Sequence, residues 1–295
     1  MKEPSPRASR LALTAGLVAV TVIGGGGFML GQRSAQNRPA PVLQAAVVPA
    51  PIPSPTQSSS RMLGRAELLA LAAEAADATA RGDPMPATVR DAIGKPFAMS
   101  LPFGCEGPAA ADSDAPMRWQ YDDTAGALRL SVTPVTWSPA EWWAGDPPSD
   151  AETIEGFWIP RPWTLSETCP ASPTPVAPAG TEPVTLPGQT LAIGQMFRPE
   201  SARHGRRDGK AYSSVLRMGR AEMGGSRGLA LRVTGRIGSG PNGTPATCRQ
   251  PGGADQRPVC LILVSLDELA IADPVSNTVL AAWQTGSLSD ADDAR

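Results

Sequence analysis

The 295-residue chain is 41% hydrophobic, 18% charged and 5% aromatic, and its 26 Lys+Arg against 28 Asp+Glu leave a formal net charge of −2. That balance excludes a strongly basic nucleic-acid binder and an acidic solvating chain. Gly (30) and Pro (32) together make about a fifth of the residues, against roughly 12% in an average protein, so low-complexity stretches are expected beside folded ones.

Residues 1–10 form a short polar tail with Lys2, Arg7 and Arg10. Residues 11–32 (LALTAGLVAVTVIGGGGFMLGQ) carry no charge. About 20 helical residues at 1.5 Å each cross the ~30 Å hydrocarbon core of a bilayer. A cleaved signal peptide competes with an uncleaved anchor here. The run exceeds the usual apolar region of a signal, and Arg33 disfavours cleavage after Ala35. The expectation is a single transmembrane helix over 11–31 with a cytoplasmic N-terminus, a weak excess of flanking bases setting the orientation. The Gly24–Gly27 run reads as tolerated glycine in a helix whose backbone lipid forces to stay paired. Only Lys2, Lys95 and Lys210 are lysines among the 26 bases. With the heavy Ala, Gly and Pro usage this resembles a GC-rich bacterial genome, which makes the compartment beyond the anchor a periplasm.

Residues 32–60 contain Pro39, Pro41, Pro49, Pro51, Pro53 and Pro55 and end in three serines. Such a stretch buries no core and favours extended geometry reaching on the order of 80 Å, so it reads as a disordered spacer. Residues 61–94 form a helical segment. Ser60 is expected to cap a helix over 61–81, Gly82 to follow its end and Pro84 to block continuation. Met62, Ala66, Leu69, Ala73 and Ala76 give it one apolar face. A shorter helix over about 86–93 ends at Gly94.

From Lys95 the period changes to two. Trp119 and Tyr121, then Leu128, Leu130 and Val132, alternate with polar residues around a turn at Asp122–Gly126, a hairpin signal. Leu229, Leu231 and Val233 mark another half-buried strand, and the continuous run 259–266 (VCLILVSL) a central one. Residues 278–283 read as a last strand, with weaker candidates at 97–101, 190–197 and 213–218. Strands and helices do not alternate, which argues against a parallel doubly wound sheet. The fold class expected is mainly β, α+β at the margins, with an antiparallel β-rich extracytoplasmic domain over 95–285 and a disordered tail over 286–295. Six prolines in 170–187 leave open one core or two lobes, 95–169 and 188–285. The pattern Ala-Ile-Gly-x-x-Phe at 92–97 and 192–197 is too short to establish duplication.

Four cysteines suit two disulfides in an oxidising compartment. Residues between Cys248 and Cys260 look like a long hairpin loop, which pairs these two and leaves Cys105 with Cys169. No pair has metal-ligand spacing and His204 is the single histidine, so neither a metal nor another cofactor is expected.

Two motif matches lack their context. Gly224-Gly225-Ser226-Arg227-Gly228 fits the serine-hydrolase elbow, but a strand follows it and no histidine comes later. Gly238-Ser239-Gly240-Pro241-Asn242-Gly243 fits a dinucleotide fingerprint, but its prolines prevent the helix that would hold a pyrophosphate. The carboxylates Asp122, Asp123, Glu141, Asp146, Asp150, Glu152 and Glu155 offer many acid–base candidates and are expected in solvated loops. A carboxylate hydrolase is thus the least supported reading, and the chain leans away from an enzyme.

Two features point to binding. Residues 105–155 carry −8 and residues 198–240 carry +7, so these segments either dock on each other or form separate faces. Arg203, Arg206, Arg207 and Lys210 sit in RHGRRDGK, which reads as an exposed basic loop that attracts anionic glycans or phosphates. Six of seven tryptophans fall between 119 and 163. Trp119 and Trp137 fit core strand positions. Trp142, Trp143, Trp158 and Trp163 lie in loop-like, proline-rich sequence and serve core packing, a protein interface or a sugar platform. The partners expected are the inner membrane through the N-terminal helix and an envelope protein, with peptidoglycan or an anionic glycan as the alternative and nucleic acid excluded by compartment.

Overall fold

The computed structural model describes residues 61–143, 148–171, 189–199, 205–223 and 228–285. The expected tail, anchor, spacer and C-terminal tail (1–60 and 286–295) lie outside these residues, as do Arg203, His204 and Ser226. Among the described residues no helix is long and apolar enough to cross a membrane.

The first helix, α1, spans Arg65–Arg81 and ends on Gly82 at φ 71°, a conformation glycine adopts without a Cβ clash. Its start differs from the expected one. Gly64, not Ser60, precedes the first turn, and its N–H donates to the Glu67 carboxylate at 3.0 Å. Residues 61–63 are instead drawn into the sheet: Leu63 makes a parallel bridge to Phe97. The buried face also differs, since Leu68, Ala72, Ala75, Ala76 and Ala78 are buried while Met62, Ala66 and Ala73 are exposed. A short α2 (Ala87–Arg90) and a turn to Gly94 follow.

Eleven described strands come next: β1 (Pro96–Phe103), β2 (Met117–Asp122), β3 (Ala127–Val132), β4 (Val135–Trp137), β5 (Thr153–Trp158), β6 (Leu191–Phe197), β7 (Tyr212–Arg217), β8 (Leu229–Ile237), β9 (Ala246–Arg249), β10 (Val259–Ala272) and β11 (Val279–Gln284). The fold is mainly β in two sheets, as composition and period require. The large sheet runs β1-β8-β10-β6-β5-β4, with β9 and β11 also paired to β10; the small one runs β2-β3-β7.

The apolar run becomes the hub. β9 and β6 flank the first half of β10, and β8 and β11 flank the second. A register shift between Leu266 and Glu268 divides the halves, a bulge that turns the strand. One departure from antiparallel order is β6, which runs parallel to β10. The pairings β1–β8, β3–β7 and β5–β6 each join the 95–169 part to the 188–285 part. Of the two arrangements left open, the main core is shared: Phe97, Leu101, Trp119, Leu128 and Leu130 from one part and Ile193, Leu231, Ile262 and Leu269 from the other belong to one buried cluster. The six-residue pattern adopts two conformations, turn and strand at 92–97 but strand throughout at 192–197, so it marks no repeat.

The edge strand β1 is capped along its length. Leu63 N–H donates to Pro96 O (2.8 Å), Ala98 N–H to Leu63 O (3.0 Å) and Ser100 N–H to Glu167 Oε1 (3.1 Å). Pro96 and Pro102 carry no N–H. The outer edge thus offers no unpaired donor from 96 to 102, which protects it from edge-to-edge association. Both disulfides form with the pairing inferred from spacing. Cys248–Cys260 joins directly opposed residues of β9 and β10, and Cys105–Cys169 ties the end of β1 to the segment after β5.

Candidate functional site

The clustered tryptophans divide. Trp137, Trp142 and Trp158 form a second core on the opposite face of the β5-β6-β10 region with Ile154, Ala192, Leu261 and Leu263. Trp137 meets Trp142 and Trp158 edge-on at 5.8 and 5.4 Å, and Trp142 lies 6.1 Å from Trp158, the geometry aromatic quadrupoles favour. Trp142 is 2% exposed and Arg249 stacks over its ring at 5.0 Å. Trp143 packs half-buried against the same cluster. Trp158 ends β5, which lies inside the sheet between β4 and β6. Residues 157–158 are therefore in an interior strand, contrary to the expectation from neighbouring prolines, because Pro160 and Pro162 act only after the strand has ended.

The basic loop also differs from its sequence reading. Glu155, 4% exposed on β5, accepts the backbone N–H groups of Arg207 (2.8 Å) and Asp208 (2.7 Å). Among the described candidates this is the buried carboxylate, and it pins the backbone at Arg207 and Asp208. The Arg206 guanidinium pairs with Glu152 at 2.7 Å and Asp208 at 2.5 Å; the hydrogen bond to Glu152, foremost, holds it above its ordinary pKa. Arg207 stacks on the Tyr212 ring at 4.3 Å and donates to Ala211 O. Burial pushes the Tyr212 phenol up to about 12. Lys210 is exposed. Arg198–Asp150 and Arg220–Asp123 ion pairs extend the pattern. The acidic and basic segments thus meet through Arg198, Arg206 and Arg220.

Trp163 stands apart. It is 60% exposed, Leu165 is 66% exposed, and Met62 on the adjoining segment is 58% exposed. The loop carrying them is fixed from several sides. Arg65, 4% exposed, donates from Nε to Thr164 O (2.8 Å) and from Nη2 to Pro160 O (2.7 Å) and Arg161 O (3.0 Å). Burial lowers its pKa, the Glu167 carboxylate opposes that shift, and Arg161 adds to it. Ile159 N–H donates to Leu191 O, Arg161 Nη2 to Thr168 O, Glu167 accepts Ser100 N–H, and Cys169 is bonded to Cys105. A buried cation satisfying three carbonyls is costly to bury and strongly orienting. Its effect is to hold two large apolar side chains out in water on a fixed backbone. Sequence reading missed Arg65. Extending the true buried register of Leu68, Ala72 and Ala75 back one turn lands on it, a charge on the apolar face.

Of the remaining cavities, an open groove of about 450 Å³ lies along α1 between Ala73, Glu74, Ala76, Asp77 and Ala80 and the pair Arg257 and Pro258. Another, of about 80 Å³, is lined by Trp119, Leu128, Met218, Glu222, Asp273 and Ser276, among others. Asp273 Oδ1 and Oδ2 accept Val275 N–H and Ser276 Oγ, which commits the carboxylate to the β10–β11 turn. Among the described residues no three His, Cys, Asp or Glu side chains cluster as metal ligands. Of the elbow match only Gly228 is described. A Cβ there would sit 2.6 Å from Cys169 Sγ and 2.7 Å from Phe103 O, so its glycine serves close packing against the disulfide. Comparison with protein-family models, with curated proteins and with solved structures gives no match.

Proposed function

We propose that this protein is a membrane-anchored extracytoplasmic component of the bacterial envelope, without an enzymatic activity of its own, whose β domain docks onto a partner surface. The reading rests on the charge-free run at 11–32 and the proline-rich spacer, and on two disulfides of the kind found in oxidising compartments. One observation carries the docking role: a fixed loop exposes Trp163 and Leu165. Rigid, exposed aromatic and aliphatic anchors are the usual centres of interfaces, and pre-ordering them removes much of the entropy cost of binding. A sugar platform built from Trp142, Trp143, Trp158 and Trp163 is less favoured, because Trp142 offers no free face and its neighbours are committed to the second core.

A photo-crosslinking amino acid at Leu165, with the same residue at the exposed Val215 of β7 as control, tests the reading in intact cells. A specific adduct from 165 and none from 215 supports docking; no adduct from 165 removes its basis. Fold and docking should also separate by substitution. Trp163→Ala is expected to change unfolding free energy by less than about 0.5 kcal/mol while abolishing the adduct. Trp142→Ala, in the second core, should cost about 3–5 kcal/mol in a denaturant melt.

A further inference from the structure

We propose that the partner of the Trp163 loop is the headgroup layer of a phospholipid bilayer, an inference that rests on the docking reading above. The exposed anchors are a Trp, a Leu and, on the adjoining segment, a Met. Two cations are near in sequence: Arg61, whose side chain is 88% exposed, and the half-buried Arg161 of the loop itself, whose Nη2 also donates to Thr168 O. Amphipathic rings and aliphatic tips flanked by arginine are the composition that settles at the headgroup level, rings in the interface and guanidinium groups on phosphate. Of the nearby carboxylates, Glu167 accepts Ser100 N–H, and Glu67 accepts Gly64 N–H and also pairs with Arg61 at 3.5 Å, a long surface contact that a lipid phosphate can displace.

Size and connectivity favour lipid over a protein. Two side chains on a narrow loop and one on the adjoining segment fall well short of the roughly 800 Å² per partner that freely diffusing proteins use. Arg61 and Met62 precede Arg65 directly in the chain, and the 60 residues before them contain the charge-free run at 11–32. If that run anchors the chain, the spacer keeps the loop within on the order of 80 Å of the same bilayer. A tether of that length supplies an effective concentration around the millimolar range. A small apolar contact, too weak to recruit a free domain, then suffices to seat a tethered one.

The full chain, reconstituted in phosphatidylethanolamine/phosphatidylglycerol vesicles with brominated acyl chains, gives a direct readout. All seven tryptophans lie between 119 and 283, so none belongs to the anchor run. Bromolipid is expected to quench part of the wild-type emission, and that part should vanish in Trp163→Phe and in Leu165→Asp. Equal quenching of wild type and Trp163→Phe overturns the proposal. The crosslinker at 165 in cells separates the two levels of the argument. An adduct of phospholipid mass supports lipid contact. An adduct to a protein alone overturns lipid contact and keeps docking. No adduct of either kind overturns both.

Discussion

Arg65 shows how one residue can matter to both fold and surface. Its guanidinium replaces water around three carbonyls that the 160–164 loop leaves inside the molecule. Arg65→Met keeps the apolar stem but strands those carbonyls. It should cost about 3 kcal/mol in a denaturant melt, with Arg65→Lys between it and wild type because an ammonium cannot span the same fork. Emission anisotropy of the Trp163 component should fall in Arg65→Met as the loop loosens. Tyr212 makes a second prediction. Its folded-state pKa is raised to about 12 from an ordinary 10, so the fold favours the neutral phenol. That contribution is complete below pH 10 and is lost as pH rises through 12. It should amount to roughly 2–3 kcal/mol by the top of that window. Absorbance at 295 nm should show a component titrating near 12 that Tyr212→Phe removes.

Among the elements, β10 organises the sheet and the disulfides secure its surroundings. Cys248–Cys260 links strands already hydrogen-bonded in register, across a separation of 12 residues. Cys105–Cys169 spans 64 residues and ties the far end of the Trp163 loop to β1. If restriction of the unfolded chain dominates, removing the longer link should cost about 1.5 kcal/mol more than removing the shorter. Paired Cys→Ala variants compared by urea melts check this, and equal costs would argue that native-state contacts of the loop govern instead. The edge of β1 illustrates the same economy of position. A stub from the incoming chain and a glutamate cap it from outside, and two prolines of the strand itself carry no N–H.

For the whole molecule, the most telling result is where the charge goes. The −8 and +7 segments meet through three ion pairs, Arg198–Asp150, Arg206–Glu152 and Arg220–Asp123. Exposed pairs contribute little and are screened by salt, whereas partly buried ones resist screening. Arg220→Ala should therefore change stability by less than about 0.5 kcal/mol. Arg206→Ala, whose side chain is 17% exposed, should cost about 1–2 kcal/mol at both 0.05 and 1 M salt. A large, salt-sensitive loss at Arg220 would show that long-range attraction between the segments, not local packing, holds them.

Much of this protein was legible in its sequence because local patterns record burial directly. Period-two alternation at 119–132 and 229–233, the apolar run at 259–266 and the twelve-residue cysteine spacing each carry their own structural signal. Glycine after α1 stops the helix wherever the rest of the chain lies. Other features have no local signature. β5 was hidden by prolines that act only beyond its end, and β4 and β9 are too short for a period. The start of α1 shifted because Leu63 pairs with Phe97, a contact 34 positions away in the chain. Tertiary structure alone decided which tryptophans pack inward, which carboxylate is buried and which loop is held in place. Those outcomes depend on donors and acceptors from distant segments meeting in a dry interior, where an unpaired polar group is costly. Trp142 and Trp163 stand in similar sequence surroundings; Arg65, a hundred residues upstream, helps hold one of them at the surface.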